Sequence, residues 1–244
     1  MSAIALLRLE VLEANVELDR RGLVVQAFGN ASAIDRESGL VVIKPSGVAY
    51  GELDAETLVV TDLDGRVVEG RCRPSSDLPT HLALYKAFAA IGAVVHTHSR
   101  FATIWAQAGR EIPCLGTTHA DYFRGAVPVT DPMTDEEIGS AYEWNTGQAI
   151  ARRFATLDPA EMPAVLVRGH GPFCWAPSAR AAADLAVILE EVACTAWHTL
   201  ALAPGTPAIP RALGEKHFLR KHGPGAYYGQ DRDRDRDRDR NSSG

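Results

Sequence analysis

The residues with the clearest capacity for chemistry are histidines. In VVHTHSRFATIW, residues 94–105, His96 and His98 stand two apart after an apolar run. If that run is a strand, side chains two apart point to the same side, and the two imidazoles face one centre. The pair then reads either as two ligands of one metal ion or as histidines that finish a strand. His170, in the tight GHGP stretch after AVLVRG, lies at the end of a second strand pattern. Three histidines with a fourth position open are the donor set of a catalytic zinc site, where the ion acts as a Lewis acid on a carbonyl or hydroxyl oxygen. Spacing alone leaves the metal reading and the strand-end reading both standing.

Three polar loops accompany the histidines: GNAS (29–32), KPSG (44–47) and PSSD (74–77). Loops of this composition expose backbone N–H groups that bind phosphate oxygens, and Lys44 would add a positive charge. The same sequences also make plain β-turns. None fits the P-loop or the dinucleotide fingerprint. Together with the histidines they suggest a small phosphorylated substrate.

The elements that must position these residues follow from periodicity and punctuation. Leu7, Val11, Ala14 and Leu18 predict an amphipathic helix over 3–19. Strand patterns follow at 23–28, 40–43, 57–61 and 66–69, with LDGRVVEG reading as a hairpin. Ser76 or Asp77 caps a helix that runs to Phe88, AVVHTHS is a strand, and RFATIWAQAG is a helix. A short strand is expected at 126–130 and one helix across 133–156, capped by Thr134. AVLVRGHG is a strand, GPFCWA turns into another, 178–202 is a long helix, 203–210 a rigid loop and 211–222 a last short helix. Helices and strands interleave without strict alternation. The expected fold class is therefore α/β of the α+β type, a central and mainly antiparallel sheet flanked by helices, in a single domain over 1–230.

Composition narrows the function classes. The chain has 244 residues, 46% hydrophobic, and a formal net charge of −6, which disfavours a nucleic-acid partner. Residues 231–244, DRDRDRDRDRNSSG, have no apolar face and read as a disordered charged tail. Cys72, Cys114, Cys174 and Cys194 form no CxxC pair and read as reduced, buried thiols. The start lacks a continuous apolar signal region. The apolar stretch around 181–203 carries Asp184, Glu190, Glu191 and His198, which suits a buried helix better than a membrane span. A cytoplasmic protein with no membrane partner is expected. His81, His119 and His222 read as structural or solvated, and Trp105 and Trp144 as core.

Over about residues 10–230 the chain resembles the class II aldolase/epimerase family. The segments that carry the resemblance are FGNASAID, IKPSGVAY, PSSDLPTH, HTHSRFATIWAQAG, GTTHADYF, YEWNTG, RGHGPF, LEEVA and KHFLRKHG with AYYGQ. It implies the class II aldolase-like fold and a C4 homotetramer with active sites at subunit interfaces. It implies a divalent metal, zinc first with Mn²⁺ or Co²⁺ as alternatives, at His96, His98 and His170, with Asp77 as the acidic residue at the metal. Sugar-phosphate aldolases of the family use Glu there, so Asp77 favours an epimerase, one that interconverts L-ribulose 5-phosphate and D-xylulose 5-phosphate by cleaving and re-forming C3–C4. Substrate phosphate would fall to Asn30, Lys44, Ser46, Gly47, Ser75 and Ser76. The acid/base pair would be Asp121 and Tyr228, with the tyrosine serving a neighbouring subunit's site. Thr117, Glu143, His217 and Arg220 match further positions near it. Pentose catabolism, such as that of arabinose, is the implied setting. The alternatives are an aldolase or dehydratase of the same fold and, from another class, a non-catalytic scaffold like the adducin head domain.

Overall fold

The structure, a computed structural model, describes residues 2–227. Helix α1 (Ala3–Arg20) starts on Ser2, whose hydroxyl accepts from the Ala5 N–H. Strands β1 (Asn30–Asp35), β2 (Leu40–Ile43), β3 (Val59–Thr61) and β4 (Val67–Glu69) follow, then helix α2 (Leu78–Ala87), strand β5 (Ala93–His96) and helix α3 (Arg100–Ala108). Two short helices, α4 (Thr117–Ala120) and α5 (Asp135–Gly139), precede α6 (Tyr142–Arg153). Strands β6 (Ala164–Leu166) and β7 (Pro172–Ala176) and helices α7 (Ala179–Leu202) and α8 (Arg211–His222) are the last described elements. The strands form one seven-stranded sheet in the order β4-β3-β2-β1-β5-β7-β6. Each neighbouring pair is antiparallel.

Two helical layers cover the sheet. Helices α1 and α7 pack on one face, with α3 against α7, and α2 packs with α6. Ser32 of β1 bonds His81 Nδ1 and Tyr85 Oη of α2, each at 2.7 Å, so α2 lies on the face to which Ser32 points. Helix α7 has the length and hydropathy of a membrane span. Its Leu185, Leu189 and Val192 are instead buried in the core.

The sequence expectation fails most clearly at β1. LVVQAF (23–28) is not a strand: Gln26 takes a left-handed backbone (φ 55°), and Leu23 and Val24 drop into the core while Val25 and Phe28 are exposed. The strand is NASAID, rich in residues of low β-propensity. It holds because it lies between β2 and β5 and pairs on both sides. Beyond its last β2 partner, Ser32↔Ile43, the backbone of Ala31 would be left open. Asn15 of α1 closes it, accepting from the Ala31 N–H at 2.8 Å and donating to its carbonyl at 3.1 Å.

Other departures are smaller. Residues 126–130 make only isolated bridges, Ile112↔Val127 and Val129↔Leu166. The helix expected over 133–156 breaks into α5 and α6. Thr134 does cap α5, in a capping box with Glu137. The hairpin of β3 and β4 forms as expected. Trp105 is buried and donates to the Ala193 carbonyl, but Trp144 is only partly buried, beneath Lys86. Cys114 and Cys174 are buried; Cys72 and Cys194 are half-buried.

Asn15→Ala leaves a buried N–H and C=O of Ala31 without partners. We expect it to lower the unfolding free energy by about 2 kcal/mol or more, read as a lower midpoint in urea denaturation.

Candidate metal and substrate site

His96 closes β5, and its neighbours are set by register. It stands opposite Asn30 of β1 and Phe173 of β7. Directly opposed residues share a face, so the three side chains lie side by side. Phe173 stacks on the His96 ring at 4.1 Å and 15°. His96 Nδ1 lies 2.9 Å from the Pro172 carbonyl. A carbonyl only accepts, so Nδ1 carries the proton and Nε2 keeps its lone pair.

His98 does not continue the strand, which ends at His96. Its ring nevertheless turns to the same point, with Nε2 at 3.1 Å from His96 Nε2. Two nitrogens on one tetrahedral zinc ion, each bonded at 2.0–2.1 Å, would lie about 3.3 Å apart. The turn after His98 is held from α7: Glu190 accepts from the Phe101 and Ala102 N–H groups at 2.8 and 3.0 Å, capping α3. His170 comes from the turn between β6 and β7, closed by His170 N–H to the Val167 carbonyl at 3.0 Å. Gly171 permits the approach, since a Cβ there would lie 2.8 Å from the Thr97 carbonyl and 3.5 Å from His96 Cε1. The ring centroids of His170 lie 4.8 and 5.0 Å from those of His96 and His98. One ligand atom from each of the three histidines falls within 4.8 Å of the others.

Burial lowers the pKa of all three imidazoles, that of His96 to about 3, which keeps them neutral at pH 7. Neutral imidazoles with one tautomer already fixed fit a borderline divalent ion and leave a coordination position for another ligand. A cavity of about 530 Å³ reaches the cluster at His98, lined also by Arg21, Leu23, Ser99, Arg100 and Cys194.

Asp77 occupies the N-cap position of α2 but makes no capping bond. Its carboxylate accepts from Asn30 Nδ2 at 2.7 Å. Burial opposes its charge; the neighbouring imidazoles and the Asn30 donor favour it, and the balance lies below the ordinary carboxylate value. The three polar loops meet here. Asn30 Nδ2 also donates to Ser75 Oγ at 3.0 Å, Ser75 N–H to the Lys44 carbonyl at 3.0 Å, and Ser46 N–H to the Arg73 carbonyl at 3.0 Å. Gly47 takes the left-handed position of its turn (φ 71°). Ser75 and Asn30 are buried, Ser46 and Ser76 exposed, and Asn30 Oδ1 is a buried acceptor with no hydrogen-bond partner among the described residues. Lys44 turns inward: it is 1% exposed, donates to the Val48 carbonyl at 2.7 Å and sits over the Tyr50 ring at 4.8 Å. Its charge underlies the loops, and burial lowers its pKa.

A second cluster gathers at Asp121, the C-cap of α4. Arg220 of α8 donates to both carboxylate oxygens, Nε at 2.9 Å and Nη2 at 2.6 Å, and His217 Nδ1 donates at 3.0 Å. His222 Nε2 donates to the Asp121 carbonyl at 2.9 Å. Thr117 begins α4, and Glu143 lies in the first turn of α6, its carbonyl accepting from Thr80 Oγ1. Among the described residues no hydrogen bond joins the Asp121 cluster to the three histidines. Tyr228 and the charged tail lie outside the described residues. Sequence reasoning missed Phe173, the Pro172 carbonyl and Tyr142, whose hydroxyl lies 3.3 Å from His170 Nδ1. No spacing marks them, because pairing and a helix break place them. His81 and His119 are buried structural histidines, bonded to Ser32 and the Gly125 carbonyl.

A helix-covered antiparallel sheet with three neutral histidines converging at one end of its central strands defines an α+β domain with a candidate divalent-metal site. The model of the class II aldolase and adducin N-terminal domain family matches residues 9–197. The chain belongs to that family. It is similar to the L-ribulose-5-phosphate 4-epimerases UlaF of Salmonella paratyphi A and Salmonella typhi, each 54% identical over 224 residues, covering 92% of this chain and 98% of the relative. Among solved structures it is similar to an L-fuculose 1-phosphate aldolase (TM-score 0.76, 25% identity, 91% of this chain and 98% of the other). The L-fuculose-1-phosphate aldolase of Thermus thermophilus is similar as well (TM-score 0.65, 26% identity, 84% and 100%).

The Asp121 cluster makes a pH prediction. Burial raises the pKa of Asp121, but Arg220 and His217 outweigh it and hold the carboxyl below its ordinary value. A depressed folded-state pKa stabilises the docked α8 above the unfolded value of about 3.9, and that contribution is lost as pH falls through the folded value. Amide exchange across 211–222 should therefore accelerate below about pH 4 relative to the core. Asp121→Asn should show the faster exchange already at neutral pH.

Proposed function

We propose that the protein is an L-ribulose-5-phosphate 4-epimerase, interconverting L-ribulose 5-phosphate and D-xylulose 5-phosphate. The observation that carries this reading is the 54% identity, over 92% of the chain, to relatives of that name. The converging histidines support it against a non-catalytic scaffold, and Asp77 in place of Glu supports it against an aldolase.

The hydrogen on C4 is β to the C2 ketone and is not acidic, so inversion needs the C3–C4 bond to break and re-form. His96, His98 and His170, with Asp77, would hold a divalent ion that would supply Lewis-acid chemistry; zinc suits the donors, with Mn²⁺ or Co²⁺ as alternatives. One member of the Asp121–Tyr228 pair takes the proton from the 4-hydroxyl as that oxygen becomes an aldehyde. The C3–C4 bonding pair moves to C3 and onto the C2 oxygen. The aldehyde turns its other face, C3 attacks it, and the second member returns a proton to the new 4-oxygen. Acid and base on opposite faces are what inversion requires. Asn30, Ser46, Gly47, Ser75 and Ser76 hold the phosphate over the buried charge of Lys44, which keeps the aldehyde fragment bound. The family resemblance implies a C4 homotetramer whose sites lie between subunits, with Thr117, Glu143, His217 and Arg220 lining them. A cytoplasmic enzyme of pentose catabolism, such as that of arabinose, is the setting this implies.

Incubation of the zinc-loaded protein with L-ribulose 5-phosphate should yield D-xylulose 5-phosphate in a coupled assay and lose that activity on chelation. Accumulating dihydroxyacetone and glycolaldehyde phosphate would mean an aldolase, and no turnover by the metal-loaded protein would sink both enzymatic readings. His96→Ala should lose bound metal and turnover together.

A further inference from the structure

Helix α6 begins at a break in the chain. Ser140 (φ −113°, ψ −121°) and Ala141 (φ −85°, ψ 68°) leave helical geometry between α5 and α6. Asn145 braces the break, its Nδ2 donating to the Glu137 carbonyl at 2.9 Å and to Ser140 Oγ at 3.0 Å. The first residue past it is Tyr142. Its position is held from several sides: Thr146 Oγ1 donates to its carbonyl at 2.9 Å, and Thr80 Oγ1 of α2 donates to the next carbonyl, that of Glu143, at 2.5 Å. Gly147 brings α6 so close to α2 that a Cβ there would lie 2.5 Å from Ala83 Cβ. Tyr142 thus rides on a rigid helix pair whose other member carries Asp77.

The Tyr142 hydroxyl lies 3.3 Å from His170 Nδ1, with ring centroids 6.2 Å apart. A neutral imidazole carries one proton. With that proton on Nδ1, His170 donates to the phenol oxygen and Nε2 keeps the lone pair. With Tyr142 donating instead, the proton sits on Nε2 and that nitrogen cannot ligate. For His96 the choice is made by a carbonyl that only accepts. For His170 the partner can act either way, and a cation at Nε2 selects the accepting role. The turn fixes the backbone of His170, the His96, His98 and Phe173 rings pack around its ring, and Tyr142 is the hydrogen-bond partner of its Nδ1. We propose that Tyr142 is the positioning residue of the third histidine: it accepts the Nδ1–H, orients the ring, and leaves Nε2 toward a divalent ion. The inference rests on the reading of the three histidines as a metal site.

Zinc affinity, measured by chelator competition on the wild type, Tyr142→Phe, His170→Ala and the double variant, tests it. Tyr142→Phe should bind zinc 10–100-fold more weakly, the range found when such outer partners of a ligating histidine are removed. The metal-free protein should unfold at the same midpoint, and the cobalt-loaded variant should show a shifted visible spectrum. In the His170→Ala background the same change should cost no further affinity. An affinity within twofold of wild type, or an equal loss in the His170→Ala background, overturns the proposal. Absence of zinc binding by the wild type overturns it together with the metal reading, whereas a wild type that binds zinc but does not turn over L-ribulose 5-phosphate overturns only the reaction.

Discussion

The antiparallel register of β1, β5 and β7 is the constraint on which the site depends. It sets His96 between Asn30 and Phe173 and places the Pro172 carbonyl 2.9 Å from His96 Nδ1. A slip of one residue would turn every side chain of β5 to the other face and replace His96 with Val95. The same register brings the 170–171 turn against the Thr97 carbonyl. One pairing therefore fixes a candidate ligand, its tautomer and its nearest partners.

Around that core the site is assembled from element ends. β5 supplies His96, the loop after it His98, the β6–β7 turn His170, the start of α2 Asp77 and the start of α6 Tyr142. Each end is anchored by something remote from it. Glu190 of α7 caps α3 behind His98, Ser32 bonds His81 and Tyr85 to hold α2 on the sheet, and Thr80 ties α2 to α6. Sites carried on rigid elements keep their geometry better than sites on free loops.

The electrostatics divide the labour. Burial keeps the histidines neutral and available as donors, while an ionised Asp77 provides the local negative charge a cation would meet. Lys44 lies buried under the polar loops with its Nζ directed at the Ala27, Pro45 and Val48 carbonyls, and burial lowers its pKa. The Asp121 carboxylate, accepting from Arg220 and His217, ties α8 to α4.

What was legible in the sequence was local. The three histidines, the polar loops, the helix cap at Thr134, the β3–β4 hairpin and the long helix α7 all rest on residue type and short spacing. Those features depend on interactions within a turn or two. Other features depend on partners far along the chain. Asn30 meets Asp77 across 47 residues, and Asp121 meets Arg220 across 99. Such distances explain why NASAID is a strand despite its composition, and why the Asp77 carboxylate bonds Asn30 instead of capping its helix. Tyr142 likewise meets His170 across 28 residues. The sequence by itself determined which groups are available for chemistry. Only the tertiary structure decided which of them meet, because long-range strand pairing and burial, not local propensity, choose each side chain's face and charge.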